Sequence, residues 1–389
     1  MLLFTAIGVL LGLGVGFIPG FSSNNLSMLF ITSGLVSSNY YLAVTAVAIE
    51  ISNSFFEFLS PMIFGIGNEA TALAVDPVYE GISEESFNRG ISIIVSGGLV
   101  GILISLPLLF FADKIYPLFY SSLKPLVGWI LLFLCAYMVW IERGWKKIFS
   151  AVIFCMSGLL GLMIKDSGLI SADYSLLPIF IGLYGFSSLL SKRSEKKELI
   201  QDITFLEKAN AAAKAFASSM LASLIPGMKR GQISAIALQA GGVMKREEVL
   251  FILPAISLAF ATLSILVLGT TGNVRSSLAY DVQEVMGELY FSQTVLFVSV
   301  IAITACMSSC ILVILAKPLG KIMSRVDGKY LKILGFCVCS FLVVNFTGFY
   351  GIILAFTATC IGILSKKLGI RSTHLMGVLM LPTIVSVML

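Results

Sequence analysis

Apolar stretches of about 20 residues follow one another along nearly the whole chain, each long enough to cross a hydrocarbon core of about 30 Å. In lipid only helices and closed barrels satisfy their own backbone groups, and no alternating run suggests barrel strands. The chain therefore reads as an all-α polytopic membrane protein. Composition agrees, with 12% charged and 58% hydrophobic residues against about 25% charged in an average soluble domain. No polar stretch is long enough to fold as a separate soluble domain. The first residues carry neither a charged leader nor a cleavage signature and read as mature sequence, and a multi-pass protein of the plasma membrane is expected.

A proline-glycine break occurs twice within this apolar sequence. An apolar run carrying Gly8, Gly12 and Gly16 ends in Ile18-Pro19-Gly20, followed by Ser22, Ser23, Asn24 and Asn25. Roughly half the chain later, Ile225-Pro226-Gly227 is followed by Met228, Lys229, Arg230, Gly231 and Gln232. Proline removes a backbone donor and glycine permits positive φ, so a helix stops or turns at the pair. A duplicated break at membrane depth points to a carrier's binding site, because only protein or water can satisfy the freed backbone there. Re-entrant and fully spanning hairpins both remain open, since each returns the chain to the side it came from. The glycine stripe before the first break reads as close helix packing.

The segment after the first break carries Glu50, Asn53 and Glu57, at spacings of three and seven residues that share one helical face. A carboxylate at bilayer depth costs on the order of 2.5 to 3.5 kcal/mol, so these groups must face protein or water. Next, Gly67-Asn68-Glu69-Ala70-Thr71-Ala72-Leu73-Ala74-Val75-Asp76 is too polar for a lipid-facing helix and reads as a second broken segment. Further spans are expected near 91–112, 125–141, 148–164 and 172–190. A polar linker at 191–208 then separates residues 1–190 from 209–389. The later half repeats the earlier one in order. Gly272, Asn273, Leu278, Ala279 and Asp281 stand where Gly67, Asn68, Leu73, Ala74 and Asp76 stand, and Leu381-Pro382 answers Leu177-Pro178. Each half thus has a PG-tipped broken or re-entrant hairpin and about five further spans.

Charge sets the orientation of the halves. Arg143, Lys146 and Lys147 occupy a loop whose counterpart, Asn345-Phe346-Thr347-Gly348, is uncharged. The neighbouring loops reverse this: Lys317, Lys321, Arg325, Lys329 and Lys332 answer Asp113, Lys114 and Lys124, while Lys366, Lys367 and Arg371 answer Lys165 and Asp166. Lysine and arginine collect on the cytoplasmic side, so matching loops lie on opposite sides and the repeat is inverted. The N-terminus is expected outside and the linker in the cytoplasm.

Taken together, the PG-tipped segment followed by Ser22-Ser23-Asn24-Asn25, the stretch from Phe58-Leu59-Ser60-Pro61 to Leu73, and the second Ile225-Pro226-Gly227 resemble the large membrane subunit of tripartite tricarboxylate transporters. The likeness is nearest to the archaeal permease branch and covers nearly the whole chain. It implies an inverted-repeat secondary carrier for small carboxylates driven by an ion gradient. The chain is shorter than the family's larger members and has Lys229-Arg230 at its second tip.

The expected substrate wall comprises Ser22, Ser23, Asn24, Asn25, Asn68, Thr71, Lys229, Arg230, Gln232, Asn273, Arg275 and Ser276, with Arg275 as the foremost bidentate contact for an anion. Glu50, Asn53, Glu57 and Glu69 are the expected coupling groups, for protons or for sodium as the only cofactor. Each has a plainer reading: Lys229 and Arg230 as interfacial residues, Arg275 in a structural pair with Glu57 or Glu69, and Asn24 and Asn25 as helix caps. A lipid-phosphate translocase of the same duplicated design is the alternative function. A homodimer and a soluble substrate-binding protein are both left open. Enzymatic chemistry has little to stand on: His374 is the single histidine, no nucleotide-binding loop is present, and the seven cysteines lie in apolar spans.

Overall fold

A computed structural model describes the chain except residues 21–22, 24–25, 28–30, 32–38, 79–82, 124–125, 169, 172–173, 192–199, 226, 241–244, 327 and 389. Every regular element among the described residues is helical. Six stretches are long and apolar enough to cross a membrane, among them Asn39–Phe64, Arg246–Thr271 and Tyr330–Lys367. The protein is a multi-pass membrane protein.

The first part of the chain runs through α1 (Leu2–Gly16), α2 (Asn39–Phe56), α3 (Leu59–Phe64), α4 (Ala72–Val78), α5 (Glu84–Ser105), α6 (Ala112–Leu123), α7 (Val127–Trp140), α8 (Lys146–Ser167) and α9 (Leu176–Leu190). The second runs through α10 (Phe205–Leu224), α11 (Arg230–Ala240), α12 (Arg246–Thr271), α13 (Ser277–Met286), α14 (Phe291–Arg325), α15 (Gly328–Lys367) and α16 (Ser372–Met388). The short helices after the broken segments start at Ala72 and Ser277, the same offset that separates Gly67 from Gly272 in the sequence match. Positive φ recurs in matching places too: Gly20 and Gly227 at the tips, Gly144 and Gly348 at the later corners.

Two helices form the axis of the molecule. The apolar window of Asn39–Phe64 is 100% buried inside the protein and that of Arg246–Thr271 is 94% buried, against 22% for Tyr330–Lys367. Complete enclosure is what allows Asn39–Phe64 to carry ionisable residues, because none of its faces meets lipid. The glycine stripe of α1 packs on this axis: a Cβ at Gly8 would lie 2.5 Å from Ala48 Cβ, and one at Gly12 would lie 2.6 Å from the Ile49 carbonyl. Close packing is thus what the stripe does. In the second half Ser219 of α10 donates to the Ile256 carbonyl at 3.3 Å, so alanine and serine bring α10 onto α12.

Helices α10 and α11 form a hairpin. Lys245 Nζ, at the entry to α12, lies 2.6 Å from Glu207 Oε1 in the first turn of α10, so the chain returns to the end it left. With 11 residues α11 covers only about 17 Å at 1.5 Å per residue, about half a hydrocarbon core. The Lys245 contact and the Thr204 hydroxyl and amide hold the Glu207 carboxyl down to about 2. Thr204 and Glu207 form a capping box that starts α10 at Phe205, so residues 205–208 of the expected linker are helical; 192–199 lie outside the described residues.

Two local expectations need correction. The span expected near 91–112 begins at Glu84, and after Leu106-Pro107 a separate helix, α6, stands before α7; loss of the proline amide breaks the run. The expected loop at 345–348 narrows to one non-helical residue, Gly348, inside α15. Phe336 before it packs its ring against Phe186 with centroids 4.6 Å apart, and Gly362 after it packs on Leu183 and Ser187, so the chain reverses there.

Candidate functional site

The broken segments meet around a cavity of about 290 Å³, the lower edge of the ~300–1,000 Å³ common for small-molecule sites. Gly20, Glu50, Asn68 and Glu69 contribute from the first half, and Lys229, Arg230, Ser276 and Ser277 from the second. Leu177, Phe180 and Phe260 add apolar wall. Helices α11 and α13 both begin at this cavity, at Arg230 and Ser277, so two positive helix ends lie at its wall.

Arg230 is the centre of the charged wall. Its guanidinium lies 3.1 Å from Glu50 Oε1 and 3.5 Å from Glu57 Oε1, and donates to Ser54 Oγ at 3.0 Å. The side chain is 15% exposed, against 5% for Glu50 and 2% for Glu57, which excludes the interfacial reading for Arg230. Glu57 also accepts from Asn68 Nδ2 at 2.8 Å and Asn53 Nδ2 at 3.3 Å, and Ser23 donates to Glu50. The expected face of Glu50, Asn53 and Glu57 is therefore assembled, with an arginine from the other half across it. Lys229 Nζ stands 3.6 Å from Glu69 Oε2 and is half exposed.

The remaining expected residues divide between wall and support. Asn68 Oδ1 accepts from the Ala70 and Thr71 amides at 3.0 Å, so one side chain shapes the broken segment and braces Glu57. Thr71 is buried beneath it. Ser276 caps α13 by accepting from the Ala279 amide at 3.1 Å. Gln232 accepts from the Lys229 amide at 2.8 Å and donates to Thr383 at 2.9 Å, fixing the tip to α16. Asn273 bonds its own corner through the Thr271 carbonyl at 3.0 Å, and Arg275 is buried next to Ser276; neither lines the cavity. Ser22, Asn24, Asn25 and Pro226 lie outside the described residues.

A family model, the tripartite tricarboxylate transporter TctA family, matches residues 2–377. The chain belongs to that family. It is also similar, at 23% identity over 98% of each chain, to an uncharacterized protein of Methanocaldococcus jannaschii. No solved structure matches it. This TctA chain is thus a transporter of the tricarboxylate class, and several of its site features escaped sequence reasoning. Ser54 lay within the Glu50 to Glu57 stretch and reads as an ordinary helix serine. The wall from α9 is signalled by Leu177-Pro178 and by Gly182 and Gly185, where Ile181–Phe186 widens into a π-helix beside the cavity. Arg230, Glu50 and Glu57 are all expected site residues, but their pairing is not legible in the sequence, because Arg230 lies 173 residues from Glu57 and further still from Glu50.

Helix α11 is anchored at its far end as well. Gln239 donates to the Met138 carbonyl and to Glu142, both at 3.2 Å, and accepts from Thr373 at 2.8 Å. His374 is fully buried and places Nε2 3.2 Å from Glu142. The single histidine thus joins a polar brace that holds the arginine-bearing helix in register.

Proposed function

We propose that the chain carries a small organic anion of the carboxylate class across the plasma membrane by secondary active transport, moving between two access states around the cavity. The observation that carries this reading is Arg230, lodged on the cavity wall against Glu50 and Glu57. Lys229 and Arg230 against Glu50, Glu57 and Glu69 leave one net negative charge when all are ionised; Arg275 and Asp281 cancel in the same count. An anion enters such a site favourably only together with a cation, so uptake is coupled to protons or sodium. Glu50, Glu57 and Glu69, with Asn53 beside them, are the coupling groups. The two halves are inverted repeats, and the protein acts as a carrier without catalysis. The family's three-part design implies further subunits, with a soluble binding protein among them. Its tricarboxylate designation favours carboxylates over the lipid-phosphate alternative.

Proteoliposome uptake of citrate, succinate and phosphate esters, with and without proton and sodium gradients, tests the proposal. Gradient-dependent carboxylate uptake is expected. Uptake of polyprenyl phosphates alone would overturn it. Arg230→Gln is expected to weaken anion binding at least about tenfold, given the 1.5–3 kcal/mol of a charged hydrogen bond. Arg275→Gln is expected to weaken it less, because Arg275 does not line the cavity.

A further inference from the structure

Arg230 faces two sets of claimants. Its guanidinium belongs to the cavity wall, yet Glu50, Ser54 and Glu57 hold it at 3.1, 3.0 and 3.5 Å. The glutamates are themselves fixed from behind, Glu57 by Asn68 and Asn53 and Glu50 by Ser23. The other charged groups facing this triad are Glu69 with its partner Lys229, and Asp281. An incoming carboxylate seeks the same donor edge of the guanidinium. It cannot take that edge and leave two ionised glutamates behind, because a buried carboxylate stripped of its cation is strongly disfavoured.

The geometry points to an exchange at Arg230, in which the substrate's carboxylate displaces one of its two glutamate partners, Glu50 or Glu57, and the co-transported cation neutralises the glutamate that is released. No bond of the substrate changes. In the proton case, a proton from the aqueous side on which substrate arrives forms an O–H bond on Glu57 or Glu50. It is lost when substrate departs and Arg230 returns. In the sodium case the ion sits between the freed carboxylate and Asn53 Oδ1, a buried oxygen with no hydrogen-bond partner among the described residues. The exchange rests on the anion-carrier reading and deepens it: coupling is competition for one arginine.

Competition and bracing predict opposite signs. If the glutamates compete with substrate, neutralising one frees Arg230 and tightens anion binding; if they only brace it, the guanidinium swings away and binding weakens. The test is calorimetric titration of the purified full-length protein with citrate, over a pH range in which citrate stays fully ionised, with and without sodium. Wild-type affinity is expected to rise as pH falls or as sodium is added. Glu57→Gln and Glu50→Gln are expected to bind citrate about tenfold more tightly, the scale of one charged hydrogen bond, with a flatter pH or sodium dependence. Weaker binding in the folded variants, or a dependence as steep as wild type, overturns the exchange. Should neither variant fold, cation uptake by the wild type decides: citrate binding with no proton uptake, read by an indicator dye, and no sodium dependence also overturns it. Absence of any carboxylate binding by the wild type would instead fail the carrier reading itself, and the exchange with it.

Discussion

At the residue scale, the cost of a side chain depends on what a backbone position approaches, and α1 contains its own control. A Cβ at Gly12 would lie 2.6 Å from the Ile49 carbonyl and 2.8 Å from Ser52 Cβ, whereas one at Gly14 meets nothing within 4 Å. Gly12→Val should therefore destabilise the protein by about 1–3 kcal/mol through overpacking, while Gly14→Ala should leave it unchanged or slightly stabilised. Thermal unfolding in detergent reads both; equal effects would mean that α1 does not pack on α2 through this stripe. Asp76 poses a different test. It lies 3.1 Å from Lys366 and accepts from Ser372, joining the first broken segment to the far end of the chain. Asp76→Ala should cost about 1.5–3 kcal/mol, the scale of a charged hydrogen bond, and Ser372→Ala should add less to it than it costs alone. Strict additivity in a double-mutant cycle would place the two in separate interactions.

At the element scale, helix breaks do the positioning. Proline and glycine end an apolar run wherever they fall together, so the tips were legible in the sequence. Their depth was not, because depth depends on which helix the tip meets. Helix α11 delivers Arg230 to α2 only because Gln232 and Gln239 fix it at either end, and those partners come from α16 and the α7–α8 corner. The reversal in α15 turns on Gly348, whose φ of 61° and ψ of −153° lie in a region essentially reserved for glycine. Gly348→Ala is expected to cost roughly 1–3 kcal/mol of backbone strain even though a Cβ there meets nothing within 4 Å. A neutral Gly348→Ala protein would show that the corner relaxes to another conformation.

At the scale of the whole molecule, the proposed inversion makes a side-specific prediction. Arg143 and Asn345 occupy matching corners, and both are exposed. Cysteine at 143 should react with a membrane-impermeant maleimide from the cytoplasm, and cysteine at 345 from outside. Labelling of both from one side would sink the inverted repeat. The matched aspartates show how the halves interlock: Asp76 bonds Ser372 of the second half, and Asp281 accepts from Ser27 of the first.

Sequence alone determined the class and the positions of the proline-glycine breaks. Lipid leaves few choices for backbone, so hydropathy, proline-glycine pairs and loop charge carry that information locally. It also placed Glu50, Asn53 and Glu57 on one face, since helical periodicity is a short-range property. Only the tertiary structure decided who faces them. Arg230 reaches Glu57 across 173 positions in the chain, while Arg275, the sequence's first choice, stands beside the cavity without lining it. Pairing of charges between the two parts of the chain depends on how the helix breaks pack, and nothing in the spacing around either break encodes the register of one against the other.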